Sequence, residues 1–254
     1  MTLRTLKTIF FSLIFLNISF QTHSSNTPSS FADLAEKLIQ FLEGANAETR
    51  LAVVTSLGGF KQLPNSAVNN LVKVLKTEDS ETQSAVFTAL SKLGESAKPA
   101  LPALYQALVH KSSTVRNASL NALTKVEKNK LKLLDVLQTK LKDDNDTVRH
   151  TAIRELGNLG SDARPAGKSL FDRFATTDDR QVTMEALRQI RVRDVSLYIS
   201  ILNNEEPLVR FFACQAIRRA GKKASSAEPA LTKLKTDSYD FVRREARRAL
   251  EAIR

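Results

Sequence analysis

The chain has 254 residues, 42% of them hydrophobic and 26% charged, with a net charge of +11. That is enough apolar material for one large core or a series of stacked small ones. One cysteine, three separated histidines and no tryptophan exclude an intramolecular disulfide, a thiolate metal cluster and a broad aromatic stacking surface. With 8 glycines and 7 prolines, long loops and a Gly-rich phosphate cradle are not expected either.

Residues 1–7 carry Arg4 and Lys7 and no acid, and residues 9–20 (IFFSLIFLNISF) form a mostly apolar run. The run is short for a bilayer span and fits the apolar region of a secretory signal peptide. Thr22/Ser24 and Asn17/Ser19 are the best small-residue pairs for cleavage, and no cysteine follows that would take a lipid. Residues 1–24 are therefore assigned to a signal peptide, with an uncleaved membrane anchor as the alternative. Residues 25–30 close a Ser/Thr-rich polar stretch that contains His23 and read as a flexible linker. Residues 31–42 (FADLAEKLIQFL) predict a capping helix, and the folded region is expected over 31–254.

From there the chain repeats itself. The segments ETRLAVVTSL, ETQSAVFTAL, STVRNASLNAL, DTVRHTAIREL, RQVTMEALRQI, PLVRFFACQAI and DFVRREARRAL superimpose without gaps. Their reference positions are Arg50, Gln83, Arg116, Arg149, Thr183, Arg210 and Arg243, spaced by 33, 33, 33, 34, 27 and 33 residues. Three residues on lie Val53, Val86, Ser119, Ala152, Ala186, Ala213 and Ala246; seven on lie Leu57, Leu90, Leu123, Leu156, Ile190, Ile217 and Leu250. This is one apolar stripe at helical spacing, with small residues where neighbouring helices approach. A second stripe, such as Leu101, Leu104 and Leu108, follows after Gly94, Gly160 or Gly221, which suit helix ends. Pro99, Pro165 and Pro229 are expected in the first turns of the second helices. Each unit is a helical hairpin that cannot bury its own faces, so the predicted fold is all-α: an α-solenoid of about six hairpins with terminal capping helices.

The pattern Asp-x-x-x-x-Val-Arg-x-x-x-Ala-x-x-x-Leu, seen as DDNDTVRHTAIREL, resembles HEAT-like repeats of the phycobilisome-lyase type, within the armadillo-like solenoids. The resemblance implies a structural ladder between repeats made by Asp and Arg six residues apart. Asp143/Arg149 and Asp237/Arg243 match it, Asn204/Arg210 matches in part, and Gln83 and Thr183 depart from it. It is nearly silent on activity, since such repeats serve in enzymes, nucleic-acid binders and adaptors.

Cys214 falls in an apolar column, which makes it a core residue, with a reactive thiol as the alternative. Arg247 breaks the same column in the last helix, where Arg243, Arg244, Arg247 and Arg248 are expected to form a polar solenoid end. The fifth copy is short by six residues, which predicts altered curvature or a cleft near Tyr198, or a deletion without function. Residues 180–254 hold 16 Lys/Arg against 9 Asp/Glu, so the basic excess lies in the last third. Arg154, Arg188, Arg191, Arg218, Arg219 and Lys222 form a candidate surface for an anionic partner, set against the reading of a solvated, mixed-charge face.

No His-Glu pair, nucleophile elbow or Cys-His pair offers converging catalytic groups, so no enzyme activity, metal or cofactor is expected. The leading expectation is an exported interaction scaffold, periplasmic or secreted, binding a protein partner that is acidic or an anionic envelope component. Nucleic-acid binding through the basic C-terminal repeats and a bilin-lyase-like enzyme subunit are the alternatives. Both fit poorly with export, and a membrane enters only through an uncleaved N-terminus.

Overall fold

The computed structural model describes residues 46–60, 62–76, 79–174, 179–190 and 194–254. The signal peptide, linker and N-terminal capping helix, and Arg191, lie outside them. Every regular element among the described residues is a helix, and none is long and apolar enough to cross a membrane. The chain divides into two compact units, 1–128 and 129–254.

In the first unit, α1 (Ala47–Leu57), α3 (Ser80–Leu93) and α5 (Ser113–Val126) are the first helices of successive hairpins; α2 (Asn65–Val74) and α4 (Leu101–Ala107) are the second. The caps follow from the sequence. Asn46 accepts from Thr49 N–H at 2.8 Å and starts α1, while Asp79 accepts from the Glu81 and Thr82 amides and starts α3. The stripe then decides the packing: α3 lies between α1 and α5 with Val86 and Leu90 fully buried, and α2 and α4 cover the first helices with Val68, Leu71 and Leu104. Removing a leucine from such a position costs roughly 2–5 kcal/mol. Ser119 sits in the small-residue column, and its hydroxyl donates to the Leu104 carbonyl at 2.6 Å, so the buried oxygen is satisfied.

The second unit runs α6 (Lys130–Lys140), α7 (Asp146–Asn158), α8 (Gly167–Phe174), α9 (Arg180–Ile190), α10 (Val195–Ile201), α11 (Pro207–Ala220), α12 (Glu228–Lys233) and α13 (Asp240–Ile253). The first helices are α7, α9, α11 and α13. α7 packs on α9 and α11 on α13; α8, α10 and α12 cover the helix that follows each.

The hairpin connectors share a form. Gly94, Gly160 and Gly221 have φ of 54°, 58° and 59°, a left-handed conformation that a Cβ disfavours, and each opens a short 3-10 segment. In those segments Ala97/Ala100, Ala163/Ala166 and Ala224/Ala227 are fully buried. Pro229 lies in a first turn as expected, but Pro99 and Pro165 do not. Pro99 and Pro165 close the 3-10 segments just before the second helices, whereas Pro102 and Pro229 occupy first turns of α4 and α12.

Candidate interaction surface

The cations of the second unit fall into two groups, one bonded into the framework and one facing water. Arg210 belongs to the first. Its Nη1 donates to the Asn204 and Glu205 carbonyls at 2.7 and 2.8 Å, closing the turn before its own helix. Its Nε and Nη2 donate to the Asp237 carboxylate at 2.7 and 3.0 Å, 27 residues further on. Arg243 repeats the first half of this device on the Asp237 and Ser238 carbonyls, at 2.7 and 3.1 Å. The link between residues six apart is thus Arg to backbone carbonyl, while the aspartate carboxylate takes the arginine of the preceding repeat. Burial raises the Asp237 carboxyl, but the hydrogen bonds from Arg210 and the Tyr239 amide outweigh it and hold the group below its ordinary value.

Arg149 works the same way one junction earlier. It donates to the Asp143 and Asp144 carbonyls, each at 3.1 Å, and its Nε reaches Asp179 at 3.2 Å. Asp179 is fully buried and also holds Arg173 and His150, the latter at 2.8 Å. In the first unit Arg116 closes its turn on the His110 and Lys111 carbonyls at 2.9 and 3.1 Å. His110 stands where other copies carry Asp or Asn, and its Nδ1 accepts the Ser112 amide at 3.1 Å. The two departures from the column are local substitutes. Gln83 donates to the Leu75 carbonyl at 2.9 Å, and Thr183 turns back on its own Asp179 carbonyl at 2.6 Å.

The ladder therefore spans α7/α9 and α11/α13 but not α9/α11, where Thr183 carries no guanidinium. The helix approach changes at the same place. A Cβ on Gly157 of α7 would stand 3.1 Å from Ala186 Cα of α9, a close contact. Between α9 and α11 lies a cavity of about 450 Å³. Met184, Leu208 and Phe211 form its apolar walls, with Phe212 and Phe174 among its lining residues. The Phe174 and Phe212 rings pack at 5.3 Å, and Phe212 meets Phe171 at 5.9 Å. Leu208 is 41% exposed. Arg180 and Arg188 also line the cavity, together with the amides Gln181 and Gln215. Arg180 Nη2 lies 3.1 Å from Glu206 Oε2, and its Nε is buried without a hydrogen-bond acceptor among the described residues. Tyr198, where a cleft was expected, is instead buried against Phe171 with ring centroids 5.6 Å apart.

The six candidate cations divide accordingly. Arg154 of α7 is exposed, with Nη2 3.3 Å from Thr151 Oγ1. Arg188 of α9 is exposed at the cavity and 3.7 Å from Glu185, an (i, i+3) surface pair of little energetic weight. Arg219 and Lys222 face solvent. Arg218 is different: its Nε binds Glu245 at 2.6 Å, and that carboxylate is 3% exposed. Counting Arg218 as a partner-facing cation overlooks this pair, because the sequence gives no sign that Glu245 points inward. Arg191 lies outside the described residues.

Cys214 is fully buried, and its thiol is pushed up to about 12 by burial and by the Glu245 and Asp237 carboxylates. Among the described residues no group of three or more His, Cys, Asp or Glu could hold a metal ion.

Hairpins that bury their faces only on neighbouring hairpins define an α-solenoid. The profile of HEAT repeats matches residues 35–124 and 101–191, more than half of the chain, and the chain belongs to that family. The match is to HEAT repeats as such and does not select the lyase type. No curated protein matches the chain. Among solved structures, an engineered protein from the Northeast Structural Genomics Consortium superposes with a TM-score of 0.51 at 22% identity, over 86% of this chain and 68% of its own, which is a likeness of fold. A designed armadillo repeat protein is 18% identical, with a TM-score of 0.38 over 86% of this chain and 99% of its own.

Proposed function

We propose that this protein is a non-catalytic, exported interaction scaffold whose second unit presents a cationic face to an acidic protein partner. A solenoid of HEAT repeats is by construction an extended surface, and surfaces of this kind bind other proteins. The observation that carries the reading is the division among the cations. Arg149, Arg210 and Arg218 are engaged with buried carboxylates, whereas Arg154, Arg219 and Lys222 are exposed and form no part of the ladder. Export rests on the N-terminal pattern of two basic residues followed by the apolar run.

A heparin column serves as the polyanion probe for the cationic face. The full chain is retained, and R154E/R219E/K222E elutes at clearly lower salt with an unchanged helical circular dichroism spectrum. Equal elution of the two proteins overturns the assignment of that face. Intact mass measured separately on each cell fraction tests export. A soluble exported species lacking roughly 19–25 N-terminal residues supports it, and a full-length cytoplasmic species overturns it.

A further inference from the structure

We infer that the cavity between α9 and α11 is a docking site for a peptide segment of the partner that carries a bulky apolar side chain flanked by carboxylates. The inference rests on the scaffold reading above and names the chemistry of the segment that is bound.

Three observations converge on it. The first is volume and lining: about 450 Å³ bounded by Met184, Leu208, Phe211 and Phe212 is room for one large apolar side chain. The second is where it sits. α7/α9 and α11/α13 are each closed by a buried Arg–Asp pair, so the gap marks the junction at which the repeat's own closing device is missing. The third is charge. Among the described residues the lining contains two guanidiniums, Arg180 and Arg188, and no carboxylate. Glu206 beside Arg180 and Glu185 beside Arg188 stand at 3.1 and 3.7 Å, yet Arg180 Nε is a buried donor without an acceptor among the described residues. A buried unpaired donor carries a desolvation penalty that an incoming carboxylate relieves. The surrounding basic excess of residues 180–254 favours the same sign of ligand.

A cavity of similar volume in the first unit, about 440 Å³, has a different balance: hydroxyls and small residues such as Thr55, Ser84, Thr88, Ala85 and Ala89 dominate its lining, and its cation Lys92 is accompanied there by the carboxylate Glu81. Thr55 and Thr88 hydroxyls already donate to carbonyls of their own helices at 2.7 and 2.9 Å.

The sequence supplies its own reporter, since the chain has two methionines and Met184 lines the cavity. The experiment records the 13C-methyl signal of Met184, assigned with Met184→Leu, while synthetic peptides are added to the full chain. The probes are DFDLDFDL, the acidic control DGDGDGDG and the cationic control KFKLKFKL. DFDLDFDL is expected to shift the Met184 signal saturably, and both controls to leave it in place. Leu208→Gln, at an exposed position that folding tolerates, and Arg188→Gln each weaken binding of DFDLDFDL about tenfold or less, the range of a single apolar or charged contact. If DGDGDGDG binds as well as DFDLDFDL and Met184 does not respond, the docking site is wrong while the acidic-partner scaffold stands. If neither acidic peptide binds and KFKLKFKL does, both readings fall.

Discussion

Two neighbouring junctions in the second unit are built from the same repeat and hold together differently. At α7/α9 the fully buried Asp179 gathers Arg149, Arg173 and His150, and Gly157 lets the helices close to contact. At α9/α11 the reference position is Thr183, the pair that crosses is Arg180–Glu206, and a cavity separates the helices. The lesson is that a solenoid need not be uniformly closed: losing one guanidinium and gaining Met184, Leu208 and Phe211 turns a structural seam into a recess.

The largest expected effect comes from breaking the closed junctions. Asp179→Ala leaves its arginines without their buried partner, and Arg210→Ala strands the carboxylate of Asp237, which is 5% exposed. Each is expected to lower unfolding stability by about 3–5 kcal/mol, read from urea titrations followed by circular dichroism. Gly157→Leu attacks the same seam through sterics, because the side chain meets Ala186, and overpacking of this kind costs about 1–3 kcal/mol. Gly221→Ala tests the connector alone. A Cβ there meets nothing nearer than 3.7 Å, so the expected loss of about 1–2 kcal/mol is purely conformational.

Acid sharpens the comparison. The folded Asp237 carboxyl is held below its ordinary value, so its contribution is present above the unfolded pKa of about 3.9 and is lost as pH falls through the folded value. Asp237→Asn is therefore expected to lower stability at neutral pH and to flatten the acid limb of the stability profile. A variant that keeps the wild-type limb shows that Asp237 is not the group responsible. The smallest effect belongs to the open junction: Met184→Gln and Leu208→Gln change stability by no more than about 0.5 kcal/mol each, since both positions are partly exposed.

Much of the framework is legible in the sequence because the constraints are periodic. A stripe with seven copies, with Ser or Ala three places after five of the seven reference positions, admits one solution, hairpins stacked on hairpins. The structural role of the Arg column is legible, but its geometry is not: the resemblance to HEAT-like repeats pairs Asp237 with Arg243, while the carboxylate binds Arg210. Asp179 does not stand out in the sequence because it sits four residues before Thr183 rather than six, and its role as a hub depends on Arg173 and His150 arriving from other elements. The short fifth copy contains Met184 and Arg188, which line the recess. It placed the opening at Tyr198, however, since a missing stretch of second helix says nothing about which first helices draw apart. Arg218 illustrates the limit of charge counting, because an exposed column position and an inward carboxylate look alike until Glu245 is seen.

The most direct test of this picture is a pair of double-mutant cycles, one on Arg149–Asp179 and one on Arg180–Glu206, each measured by urea unfolding of the full chain. The account predicts a coupling of about 1.5–3 kcal/mol for the first pair and about 0.5 kcal/mol or less for the second. Equal couplings would contradict it, because the two junctions would then be closed alike.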